Sequence, residues 1–209
     1  MKIEFITAEQ LEPRFDQPQE APCKLDLLAR EMPGTSMDIT ELDKPIGLTQ
    51  DSRDQLPEVS AETRERLEGK NYPETILEAI DSEAEARIYE EAGLEPAEVN
   101  GKDALIRTDI DYDRTDAFGD TNLERMRDGR PPLDASGNKT IELHHIGQKC
   151  DSPLAELTCA EHRSNGNDNI LHNKLKESEI DRNDFNKVRE EYWKARAEQI
   201  DNQRSEGTA

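Results

Sequence analysis

All four histidines of this 209-residue chain, His144, His145, His162 and His172, fall within 29 consecutive positions. That cluster limits the fold more than any other feature. Neutral imidazole is the commonest protein ligand for a transition metal, and side chains that share an ion must be brought together by short, closely connected elements.

The surrounding pattern predicts those elements. Residues 140–146 alternate as a strand, with Ile141 and Leu143 on one face and Glu142 and His144 on the other, and Gly137-Asn138 supplies a turn before it. Neighbouring residues of a strand point to opposite faces, so His144 and His145 cannot easily share one job; one can bind metal while the other faces a substrate water. A loop holding Asp151, Ser152 and Pro153 leads to a second short strand over residues 154–157. Thr158 then reads as a helix N-cap, with Glu161 completing a capping box, which puts His162 in the first turn of a helix facing back towards the strands. Strand, loop, strand and helix, with histidines on the first strand and the helix, is the layout of a ββα-metal nuclease centre.

On these residues the chain resembles the LHH group of the HNH/endonuclease VII nuclease superfamily, which includes C-terminal toxin domains of bacterial polymorphic toxins. The matching stretches are Leu143-His144-His145-Ile146-Gly147-Gln148, Asp151 to Thr158, Glu161-His162-Arg163, Gly166-Asn167, Leu171-His172 and Lys176 to Arg182, within a resemblance that covers roughly residues 75 to 198. It implies that His144 and His162 are metal ligands, that His172 is the third ligand or a phosphate contact, and that His145 is the general base. The pattern's central asparagine has no counterpart before Thr158, which leaves its orienting work to Gln148. No histidine follows His162 by four residues, so the third ligand falls to His172 or to Asn165, Asn167 or Asn169.

The chemistry of the residues agrees with that implication. Phosphodiester hydrolysis needs an activated water, stabilisation of charge on the phosphorus centre and help for the leaving oxygen. A histidine with an ordinary pKa of about 6.5 suits the first task, and one divalent ion, Zn²⁺ or Mg²⁺, suits the other two. Arg163, Lys174, Lys176 and Arg182 lie close by in sequence as candidate phosphate contacts. Other uses of the same residues stay open. The His-His pair can be a core pair, and each basic residue can be a solvated surface charge. Cys150 or Cys159 beside His162 can belong to a structural zinc site, although the chain has no CxxC knuckle. Asp109, Asp111, Asp113 and Asp116 bring calcium to mind but lack the glycine and terminal glutamate of a calcium loop.

Charge opposes a nucleic-acid enzyme at first sight, because the chain carries a formal net charge of −21. The acidity is uneven: residues 1–100 hold 25 acidic and 10 basic side chains, residues 101–209 hold 23 and 17. The half with the histidines is thus the less acidic one, although it lacks the basic footprint of a tight DNA binder. Three cysteines give no disulfide framework and suit a reducing compartment.

Along the chain, residues 1–45 read as an extended N-terminal arm or tether, with a short strand near residues 2–7. Residues 46–100 form an acidic helical segment, and residues 101–209 an HNH/LHH-like nuclease domain. Asn100-Gly101 marks a β-hairpin, residues 121–127 a short helix, and residues from Asp181 to about 201 a long helix with an apolar stripe of Phe185, Val188, Tyr192 and Ile200. The expectation is an α+β protein, a ββα-metal nuclease centre with flanking helices and an additional β-hairpin. The resemblance implies that it would act on DNA as a metal-dependent endonuclease, supported by Gln148, Asn167 and Asn169. The implied setting is a bacterial antagonistic toxin with an immunity protein as partner. No membrane span or signal peptide is apparent, so the chain would be cytoplasmic in the producer and delivered by a dedicated system. The alternative is a non-catalytic, zinc-stabilised binding or adaptor module.

Overall fold

A computed structural model describes residues 55–174, 180 and 182–207, apart from the side chains of Arg182 and Asn183. The expected N-terminal arm, Lys176 and the Asp181 cap lie outside these residues. The described elements run α1 (Ala61–Gly69), α2 (Glu74–Ala79), α3 (Glu83–Glu91), β1 (Glu95–Val99), β2 (Lys102–Ile106), α4 (Asn122–Arg127), β3 (Glu142–His145), β4 (Leu154–Leu157), α5 (Cys159–Arg163), α6 (Asn167–Leu171) and α7 (Arg182–Glu206).

Local chemistry explains most boundaries. Ser60 and Ser82 cap α1 and α3 through their hydroxyls, and Thr121 and Thr158 form complete capping boxes with Glu124 and Glu161. The β1–β2 turn has positive φ at both Asn100 and Gly101, which matches the right-handed twist of a two-residue hairpin. Pro96 sits on β1, an outer strand, where its missing N–H is tolerated.

The four strands lie in the order β1-β2-β4-β3, antiparallel except for the parallel β2–β4 pair. The class is therefore α+β, and β3, β4 and α5 form the expected ββα unit. That unit is joined edge to edge with the hairpin through the parallel β2–β4 pair. All described residues fall within one compact unit, Gly47–Ala209.

The sheet separates two cores. On one face Leu105, Ile146, Ala155 and Leu157 pack with Leu67, Ile76, Tyr89 and Leu171 from the small helices. On the other, Ala104, Leu143 and Leu154 pack with Leu123, Met126, Tyr192, Trp193 and Ile200 from α4 and α7. The apolar face of α7 is displaced from the expected stripe. Tyr192, Trp193, Arg196, Ala197 and Ile200 are buried, whereas Val188 is exposed. Packing against α4 and the sheet centres that face on Trp193, and Arg196 is drawn inward by a buried carboxylate.

That carboxylate is Glu156 on β4, which is fully buried. It accepts from the Arg107 backbone N–H at 2.8 Å, the Tyr192 hydroxyl at 2.9 Å and Arg196 Nε at 2.8 Å. A buried ion pair survives only when its remaining lone pairs and protons are satisfied, and these bonds supply that. The other face holds Glu85, almost fully buried, with donors at the Tyr89 hydroxyl (2.7 Å), the Asp81 N–H (2.9 Å) and the Gly147 N–H (3.4 Å). No cation bonds to it among the described residues, and burial pushes its carboxyl up from the ordinary value despite the donors.

Candidate metal centre

The site forms where β3 runs along the edge of the sheet. Period-two alternation puts Glu142 and His144 on the face of the small helices and Leu143 and His145 on the face of α7. The capping box at Thr158 sets the start of α5: the Glu161 N–H reaches Thr158 Oγ1 at 3.2 Å, and Glu161 Oε2 accepts from the Thr158 N–H at 2.7 Å. Arg107 locks that box to β2 through Glu161 at 2.6 Å, which aims His162 at the strand. Gly166, with φ of +85°, turns the chain into α6, at whose end His172 returns to the same place.

Three imidazoles then converge. His162 Nε2 lies 3.3 Å from His144 Nδ1 and 3.2 Å from His172 Nε2, and the three atoms lie within 4.8 Å of one another. Outer partners fix two of the rings. His162 Nδ1 is 2.6 Å from Glu142 Oε2, and His172 Nδ1 is 3.1 Å from both the Asp168 carbonyl and its carboxylate. Protons held on those Nδ1 atoms leave a lone pair on each Nε2. Two lone pairs facing each other at 3.2 Å repel unless a cation lies between them. A tetrahedral ion with bonds of about 2.0–2.1 Å would place its nitrogens about 3.3 Å apart, so the residues fit a metal.

The electrostatics favour the ligand form. Burial, followed by the neighbouring histidines, holds His144 well below its ordinary pKa; burial also lowers His162, although Glu142 opposes it. Burial alone would raise Glu142, but hydrogen bonds from Arg163 and His162 outweigh it and hold the carboxyl low. His144 Nε2 is buried without a partner among the described residues, a cost of roughly 1–3 kcal/mol. Among the described residues no other group of three His, Cys, Asp or Glu side chains is close enough to share an ion. Cys150, Cys159 and the aspartates 109–116 therefore do not form an alternative site there.

His145 points to the other face yet lines the same cleft as His144, because β3 is an edge strand. The cleft encloses about 470 Å³. His145 packs on Phe185 with ring centroids 4.6 Å apart, and burial, then Lys102, pushes its pKa down to about 4. It is neutral at physiological pH and can accept a proton, but it is a weaker base than the ordinary imidazole expected from the sequence.

The remaining candidates are dispersed. Arg163 borders the cleft but is held bidentate by Glu142 at 2.9 to 3.2 Å. Lys174 pairs with Asp168. Lys176 and the Arg182 side chain lie outside the described residues. Gln148 lines the cleft and accepts from the Asn173 N–H at 2.8 Å, so it braces the segment after His172. Its neighbour Gly147 has φ of +69°, and a Cβ there would meet the Ala79 carbonyl at 2.5 Å, so only glycine fits. Asn167 donates to the Glu161 carbonyl at 2.6 Å and joins α6 to α5, and Asn169 lies within α6. Sequence reasoning missed Glu142 and Asp168 as outer partners. Both were accessible from spacing: Glu142 shares a strand face with His144, and Asp168 precedes His172 by one helical turn.

No solved structure matches the chain. Residues 121–199 match a family model described as "LHH: A nuclease of the HNH/ENDO VII superfamily with conserved LHH". The match runs from the cap of α4 into α7; it includes all four histidines and leaves out α1 to α3 and the β1–β2 hairpin. In this chain the named tripeptide is Leu143-His144-His145, the segment of β3 that feeds both the imidazole cluster and the cleft, so the similarity of residues 121–199 to the LHH nuclease family rests on the residues that build the site.

Proposed function

We propose that this protein is a metal-dependent endonuclease that hydrolyses DNA phosphodiester bonds, and that it serves as a bacterial antagonistic toxin domain neutralised by an immunity protein. The observation that carries the enzymatic part is the convergence of His144, His162 and His172 on one point, with His145 lining the same cleft. A ββα centre needs these two groups together, one to hold an ion and one to handle a proton.

In this mechanism His144, His162 and His172 would hold one divalent ion, which would supply Lewis-acid stabilisation of charge on the phosphate and the leaving oxygen. Glu142 and Asp168 keep the Nδ1 protons of His162 and His172 and so hold their Nε2 lone pairs towards the ion. His145 Nδ1 or Nε2 takes the proton of the attacking water, and Phe185 restrains the ring that does so. Arg163, already oriented by Glu142, offers the rest of its guanidinium to a flanking phosphate.

The test is plasmid cleavage by the purified full chain with Mg²⁺, Mn²⁺, Zn²⁺ or EDTA, beside His145→Ala. Metal-dependent nicking that disappears in the variant is the expected result. Intact plasmid under every condition, with one metal still tightly bound, would turn the interpretation to a zinc-stabilised binding module. The immunity partner is expected to present a basic surface to the acidic side chains of α1 to α3. Unchanged capture of such a partner after those acids are neutralised would remove that part of the proposal.

A further inference from the structure

Among the described residues two arginines line the cleft, and they differ in what already holds them. Arg163 is engaged by the Glu142 carboxylate through both Nε and Nη2. Arg189, on α7, forms no ion pair among the described residues; its Nη2 donates to the neutral Asn186 Oδ1 at 2.6 Å. The outlying candidate Lys174 is likewise taken by Asp168. In a chain where acidic side chains outnumber basic ones 48 to 27, an arginine in a cleft without a carboxylate is the exception.

Arg189 is also held in place. Its guanidinium carbon lies 5.8 Å from the centroid of the Phe185 ring, and Phe185 in turn packs on His145 with centroids 4.6 Å apart. A cation over an aromatic face loses part of its rotamer freedom before any ligand arrives, so less entropy is lost when it binds. The geometry also links the free guanidinium to the proton-accepting histidine through a single ring.

We infer that Arg189 is a phosphate-binding residue of this cleft, taking a backbone phosphate of a DNA duplex and seating it beside His145. This rests on the nuclease interpretation of the histidine site. A guanidinium presents paired N–H groups in the plane that two phosphate oxygens occupy, and the neutral Asn186 contact leaves the positive charge available. Specificity is not expected from it, because phosphate contacts fix register without reading bases. The contact also accounts for how an acidic protein holds a polyanion: one uncompensated cation inside the cleft acts at the point of reaction, where a broad basic face is lacking.

The experiment is an anisotropy titration of a fluorescent DNA duplex with the full chain carrying His145→Ala, so that cleavage does not intervene, at several salt concentrations. Adding Arg189→Ala should weaken binding about tenfold and lower the slope of log affinity against log salt by about one. Arg189→Lys should restore the slope but only part of the affinity, since an ammonium keeps the charge and loses the fork. Arg66→Ala, on α1 and paired with Glu90, should match the parent. If Arg189→Ala titrates like the parent, the assignment is overturned. Cleavage with His145 restored separates the two claims. A protein that binds through Arg189 but never cuts retains the phosphate contact and loses the nuclease interpretation. One that cuts equally well with Arg189→Ala retains the nuclease and loses the contact, and one that binds no duplex overturns both.

Discussion

On one face of β3, His144 looks towards the short helices that carry His162 and His172, whose rings are met by carboxylates, that of Glu142 on β3 itself and that of Asp168 on α6. On the other, Leu143 and His145 look towards α7, which meets His145 with the ring of Phe185. The contrast extends beneath the surface. The face of His144 buries Glu85 on three hydrogen-bond donors with no cation among the described residues, and the face of His145 buries Glu156 against Arg196. Two histidines adjacent in sequence thus sit in different settings: His144 turns Nδ1 to the point shared with His162 and His172 while its Nε2 has no partner among the described residues, and His145 is restrained by packing on Phe185. A single edge strand can supply both a ligand and a base because its two faces open on one cleft.

The sharpest way to break that comparison is to truncate one histidine on each side. His162→Ala should abolish tight binding of one metal equivalent and reduce cleavage to background, as equilibrium dialysis and plasmid nicking would show. His145→Ala should lower cleavage by about 10²- to 10⁴-fold, the usual contribution of a positioned base, and leave metal binding intact. Equal loss of metal in both variants would mean the faces are not divided by role. A smaller effect tests the carboxylate support: Glu142→Ala should weaken metal affinity about 10- to 100-fold while the far-UV spectrum stays native.

The two buried glutamates sharpen the comparison through stability. Glu156→Gln leaves Arg196 buried without its countercharge and should cost about 3 kcal/mol or more in denaturant unfolding. Glu85 predicts a pH effect of the opposite origin. Its folded-state pKa is raised by burial, so the folded state binds a proton more tightly than the unfolded chain. Its contribution is full below the ordinary carboxylate value and is lost as pH rises through the raised one. Melting temperature should therefore fall with rising pH more steeply in the natural chain than in Glu85→Gln; parallel curves would sink the idea.

Much of the local structure was legible before any coordinates. The capping box at Thr158, the short helix from residue 121, the Asn100-Gly101 turn and the alternation through Glu142 and His144 depend on neighbours within a few residues, and such chemistry acts the same way in any tertiary setting. The stripe on α7 was legible only in part. Phe185, Tyr192 and Ile200 suggested a face, but Val188 is exposed, while Trp193 and Arg196 are buried. A helix rotates to satisfy its strongest contacts, here the Trp193 core and the Glu156 ion pair, and period alone cannot rank them.

By itself the sequence determined which atoms were available for chemistry: four imidazoles in a strand, loop, strand and helix order, with the spacing to bring some of them together. Only the tertiary structure decided how those atoms are used. The order β1-β2-β4-β3 leaves β3 at the edge, so His144 and His145 share a cleft despite opposite orientations. It also decided which cations are spent, pairing Arg163 with Glu142 and Lys174 with Asp168 and leaving Arg189 unneutralised among the described residues. The physical reason is range. Capping, turn and strand alternation are set by bonds a few residues long, whereas pairing of charges and opening of a cleft depend on residues that sequence separates and folding alone makes neighbours.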